Sequence, residues 1–168
     1  IRVKTKWHKG GKQRDPKHFV ELAEQYALRS EWRTAALFYK KAWDRGHDAK
    51  YLVSMGDALL ADGEVGRALQ SLNQALINQP DLIDGHVRKL DLSMELAQLY
   101  GTADDWQRVR ETAEAFLDSK GTVSPEQQAS ARHAKGLAIV RPSAANPSDL
   151  DAGEAELRQA MELAPDRV

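Results

Sequence analysis

The sequence predicts an all-α protein built as a row of antiparallel helix pairs. Three observations predict it. One set of small and apolar residues recurs along the chain at fixed offsets. Turn formers divide each set into two helix-length halves, and a proline or a break closes it. The composition, with 42% hydrophobic and 29% charged residues over 168 positions, is that of a water-facing globular domain able to bury a core.

The recurring set is clearest in the middle of the chain, at Met55, Gly56, Leu59, Ala68, Leu72 and Ala75, closed by Pro80. Upstream it returns as Leu22, Ala23, Tyr26, Ala35, Tyr39 and Ala42, and downstream as Leu96, Ala97, Tyr100, Val109, Ala113 and Phe116. The internal offsets 0, 1, 4, 13, 17 and 20 are common to all three sets. The first three positions suit one helix face, and the last three, at i, i+4 and i+7, suit one face of a second helix. The small residues let two helix axes approach, while Tyr26, Tyr39, Leu59 and Leu72 fill what remains.

Taken in order, Asp15-Pro16 is a start signal for the first helix, because proline is tolerated in an opening turn. Arg29-Ser30-Glu31, Ala61-Asp62-Gly63 and Gly101-Thr102-Ala103-Asp104 read as the turns inside the three pairs. Gly63 and Gly101 are suited to the left-handed conformation that ends a helix, and Asp104 or Asp105 is suited to capping the next one. Trp32 and Trp106 follow acids at these elbows and are expected to staple them. Residues 83–89 precede the third register by close to two helical turns and would lengthen its first helix without rotating its face. A fourth unit is partial. Pro125 to Val140 is helical in pattern after Ser124, with Ala131, Gly136 and Ile139 placed to pack. RPSAANPSDLD then reads as a long break, after which Leu157, Ala160, Leu163 and Pro165 restore the pattern.

This pattern resembles the tetratricopeptide repeat (TPR) family, whose units are helix–turn–helix pairs of about 34 residues. The match is best over Ala49 to Leu82. In the preceding unit His47 stands in place of the terminal proline, and in the third Val109 and Phe116 stand where the family prefers alanine. The resemblance implies a right-handed superhelical array of antiparallel helix pairs with repeats at about 16–48, 49–82, 83–123 and 124–166, forming one domain over 15–168 after a basic arm at 1–14. It also implies a scaffold that holds segments of other proteins on a concave surface lined by the first helix of each unit.

On those first helices, Val20, Val53 and Met94 each stand two residues before the large–small pair of their unit. They are expected to form an exposed apolar column, with Lys17, Lys50 and Asp91 on one side and Glu24, Asp57 and Gln98 on the other. The alternative is that the column meets the neighbouring repeat and completes the core. Members of the family that grip a chaperone's carboxyl terminus carry a clamp of basic residues and asparagine. Here Val20, Glu24 and Ser54 occupy the positions where it would begin, and acids would repel a carboxylate. The expected partner is a protein or peptide bearing basic and apolar residues.

Other chemistries find little support. The chain has no cysteine, which excludes disulfides and thiolate metal sites and agrees with a cytoplasmic setting. The five histidines, His8, His18, His47, His86 and His133, share no metal-binding spacing, and His18 and His86 are expected to be solvated near helix starts. Gly10-Gly11-Lys12 lacks the rest of a phosphate loop. No enzyme, cofactor or small-molecule substrate is expected, and nucleic acid is not the expected partner.

Charge is uneven. The first 18 residues carry Arg2, Lys4, Lys6, Lys9, Lys12, Arg14 and Lys17 against Asp15 alone, which leaves seventeen basic and twenty-four acidic residues for the rest. A basic arm of this kind suits a solvated linker, an anionic membrane surface or another acidic surface, and Trp7 within it decides nothing between them. A chain that starts at Ile1 reads as a piece of a longer or processed protein, so an upstream signal or anchor stays open. Two functions are therefore carried forward: a non-enzymatic interaction scaffold, and a structural or self-assembly module whose arm contacts a membrane or another acidic surface.

Overall fold

The computed structural model describes residues 15–142 and 147–166. The basic arm at 1–14 lies outside the described residues, as do residues 143–146 and 167–168. Among the described residues the protein forms eight α-helices and no strand. They are α1 (Pro16–Leu28), α2 (Trp32–Gly46), α3 (Ala49–Ala61), α4 (Val65–Asn78), α5 (Ile83–Tyr100), α6 (Ala103–Leu117), α7 (Pro125–Val140) and α8 (Pro147–Leu163). No helix among the described residues is long and apolar enough to cross a membrane.

Local chemistry sets most boundaries. Asp15 caps α1 by accepting from the Lys17 backbone N–H at 3.0 Å, and Asp48 does the same for α3 through Lys50. Gly63 and Gly101 adopt φ of +81° and +68° at their turns, as their position requires. Asp105 is not the N-cap of α6. Thr102 takes that place, and Asp105, three residues on, completes a reciprocal capping box with it. Ser124 and Gln127 build the same device at α7. His47, in the place of the missing proline, ends α2 in the left-handed conformation (φ 52°), so a different device makes the same stop. The break after Val140 is shorter than expected. Pro147 opens α8, and Ser148 to Asp151 form its first turn, since proline has no N–H to lose there.

Consecutive helices pack as antiparallel hairpins, and each hairpin packs on the next. The signature alanines Ala23, Ala35, Ala42, Ala68, Ala75, Ala97 and Ala113 are completely buried at these crossings. The buried Ser71 hydroxyl donates to the Leu52 carbonyl at 2.7 Å, tying α4 to α3. The core divides into two clusters. One spans α1 to α4 with Leu82 and Leu92, and the other joins α5, α6 and α7 around Phe116, Val109 and Trp106. Trp106 is buried in the second cluster, with the Arg141 guanidinium at the end of α7 5.8 Å from its ring centroid. Tyr100 occupies a signature position yet is 66% exposed. The helix stops at Gly101, and α6 begins within two residues, which leaves the ring outside the crossing.

His86 also departs from expectation. It is 4% exposed rather than solvated, because α5 starts at Ile83 and places it against Phe116 of α6. Its Nε2–H donates to the Pro80 carbonyl at 2.7 Å, and its ring stacks on Phe116 with 5.4 Å between centroids.

Candidate functional site

Helix α5 packs on both α3 and α7, whereas α1 and α3, and likewise α4 and α6, make no comparable contact. The expected inner side of the array is the one lined by α1, α3, α5 and α7. The residues expected to bind a partner fall on that side but not into one continuous column. Lys17, Glu24 and Lys50 are exposed, and Val20 is half-buried.

Val53 is not an exposed anchor. It is 6% exposed and belongs to the first core cluster. The reason is its place in the array. Helix α3 is flanked by α2 and by α5, and Leu92 of α5 joins the same cluster.

Asp57, exposed on α3, pairs with Arg88 of α5 at 3.4 Å. Burial raises the pKa of its carboxyl, Asp84 adds to the rise and Arg88 opposes it. Tyr39 lies between Glu24 and Asp57. Burial raises its pKa first, and the two carboxylates raise it further.

Met94 and Gln98 come together in a different way. They line a cleft of about 300 Å³ between α5 and α7. Leu90 and Met94 on α5 face Ala129 and Ala134 on α7 and make an apolar floor. Asp91, Glu95 and Gln98 form the α5 rim, and Glu126, Ser130 and His133 the α7 rim. Three of the ten lining side chains are carboxylates, and none is lysine or arginine. Partial burial raises the pKa of Asp91, with Arg88 opposing, while the side chain stays open to solvent. The rims therefore present a negative field above an apolar floor. That arrangement can take a cationic head with an aliphatic stem.

The α7 half of this cleft was missed in the sequence. The fourth unit lacks a complete signature on its first helix, so no position could be assigned to the inner column there. Leu90 and Glu95 had a signal, since they lie within one turn of Met94 on the same helix.

With this architecture, the molecule has a TPR-like helical repeat fold. No protein-family model matches the chain, and no curated protein matches it. Several solved structures share the fold. MamA from Desulfovibrio magneticus RS-1, residues 41 to the end, is 20% identical with a TM-score of 0.66, over 89% of this chain and 76% of that one. A double mutant of the RS-1 MamA is 22% identical with a TM-score of 0.67, over 89% and 75%. TTC0263, a thermophilic TPR protein of Thermus thermophilus, is 16% identical with a TM-score of 0.57, over 89% and 75%. At these identities the likeness is one of fold.

Proposed function

We propose that this protein is a non-enzymatic scaffold that binds a segment of a partner protein on its inner face, with the α5–α7 cleft as the principal recognition pocket. The observation that carries this reading is the pairing, in one cleft, of an apolar floor at Leu90 and Met94 with the rim carboxylates Asp91, Glu95 and Glu126. A lysine or arginine flanked by an apolar residue suits it best. The stem would lie along Met94 while the head meets the rim, and desolvation inside the cleft strengthens that charge contact. Lys17, Val20, Glu24, Lys50, Asp57 and Gln98 would then touch the remainder of the segment along the inner face. Val53 acts only from beneath, by shaping the floor that α3 offers.

The test is selection of random displayed peptides on the intact chain. Peptides rich in lysine or arginine beside apolar residues should be enriched. The selected peptides should lose about tenfold or more in affinity on a Gln98→Arg/Ser130→Arg variant, which closes the mouth without touching the core. An Asp91→Asn/Glu95→Gln variant should lose less. Because burial raises the Asp91 pKa, binding should also begin to weaken with falling pH earlier than an ordinary aspartate would dictate. Peptides that bind equally well to the closed-mouth variant would sink this reading.

A further inference from the structure

Between the second helices α4 and α6, in the middle of the array, lies a groove with an unpaired amine on its wall. The two helices make no extended contact with each other. A groove of about 490 Å³ separates them, completed by the α4–α5 turn and the first two turns of α5. Leu76, Ile77, Pro80 and Ala115 give it an apolar wall. Its polar lining includes His86 and Ser119, whose buried Nδ1 and Oγ have no hydrogen-bond partner among the described residues. Lys89, one turn after His86 on α5, lines the same groove.

Lys89 differs from the other described lysines. Lys40 and Lys135 each hold a carboxylate at 2.8 Å, from Asp44 and Glu156. Lys41 lies over the Phe38 ring, 4.7 Å from its centroid. Lys17, Lys50 and Lys120 are exposed, so water solvates their ammonium groups. Lys89 is half-buried and makes no ion pair or hydrogen bond among the described residues. Partial burial lowers its pKa, Glu111 opposes and Arg108 adds to the fall, while Asp81 and Asp118 line the same groove. An ammonium so placed has lost hydration without a carboxylate to replace it, so it sheds its proton more readily than an exposed one. The neutral amine that results is a nucleophile, and an amine desolvated beside apolar walls is suited to attack a carbonyl carbon near neutral pH.

We propose that Lys89 is an acylation site, which takes a short aliphatic acyl group from an acyl phosphate and seats it in the groove between α4 and α6. The Nζ lone pair forms a C–N bond to the carbonyl carbon. The C–O bond to phosphate breaks, its electron pair leaves with the phosphate, and the amine proton passes to water. The product is a neutral amide whose aliphatic tail lies against the apolar wall at Ile77 and Ala115. Its carbonyl oxygen is an acceptor for the unpartnered Ser119 hydroxyl. Acylation also removes a half-buried charge, so the folded chain favours the modified state. The site is separate from the α5–α7 cleft, and neither depends on the other.

The experiment treats the full chain with acetyl phosphate or butyryl phosphate near neutral pH and reads the acylation rate of each lysine by peptide mass spectrometry. The same measurement is made on the chain unfolded in urea. In the folded chain Lys89 should react at least about threefold faster than Lys17, Lys50 and Lys120. In urea the four should react alike. Ile77→Ser, at an exposed position outside both core clusters, should slow butyrylation of Lys89 more than its acetylation, because the longer tail loses its wall. A Lys89 that reacts no faster than the exposed lysines of the folded chain overturns the proposal. So does a preference for Lys89 that persists in urea, since neighbouring sequence and not the groove would then set it. Equal slowing of both acyl groups in the Ile77 variant overturns the seating of the tail.

Discussion

The closeness of the last two helices can be read from a single methyl group. Where α7 crosses α8, a Cβ built on Gly136 would stand 2.8 and 2.9 Å from Leu157 Cγ and Cδ2, and 3.0 Å from the Gly153 carbonyl oxygen. Leu157 can swing aside in part, but the Gly153 carbonyl belongs to the α8 backbone and moves only with the helix. Overpacking of this kind costs about 1–3 kcal/mol, and it opposes the roughly 1 kcal/mol that alanine gains over glycine inside a helix. Gly136→Ala should therefore destabilise by about 1–2 kcal/mol. Gly66 on α4 is the internal control, since a Cβ there meets nothing within 4 Å. Gly66→Ala should stabilise by about 0.5–1 kcal/mol through backbone entropy alone. For a chain of this length, each kcal/mol moves the Tm by roughly 2–4 °C, so the two variants should shift it in opposite directions. Thermal unfolding followed by both helical circular dichroism and tryptophan fluorescence is the assay. Coincident transitions verify that the array melts as one unit rather than repeat by repeat. A Gly136→Ala protein that gains stability as Gly66→Ala does would refute the close crossing.

Further consequences follow from burial and charge. Val53→Glu should cost several kcal/mol, because it places a carboxylate in the first core cluster, whereas Val20→Glu, at a half-buried site, should cost markedly less. Urea unfolding of both variants measures this, and equal losses would contradict the asymmetry. Burial alone would raise the pKa of Glu156, but hydrogen bonds and charge from Lys135 and Arg132, each 2.8 Å away, outweigh it and leave the pKa lowered. A lowered carboxylate pKa contributes stability above the unfolded value and loses it as pH falls through the folded one. Glu156→Gln should thus destabilise by about 1–3 kcal/mol near neutrality, with the difference closing in acid. A difference that does not change with pH would show that the pair contributes through shape rather than charge.

Much of the molecule is written in short-range pattern. The spacing of Ala35, Ala68, Ala75 and Ala97 sets which helix faces meet, and Asp15, Gly63, Gly101 and Ser124 set where helices start and stop. These are local effects, decided within a turn or two of chain, so composition and periodicity carry them. What the inner face exposes is decided elsewhere. Val20, Val53 and Met94 share one register position, yet one is half-buried, one lies in the core and one lines a cleft. The register places a side chain on a face, but neighbouring helices determine how that face is covered. Helix α5 packs on α3 and its Leu92 joins the cluster that holds Val53, while small Ala129 and Ala134 on α7 line the cleft beside Met94. His86 and Tyr100 exchange their expected environments for the same reason, one covered by α6 of its own pair and the other left outside a shortened elbow. Periodicity is a property of one helix, and accessibility is a property of its neighbours, which the chain specifies only once it has folded.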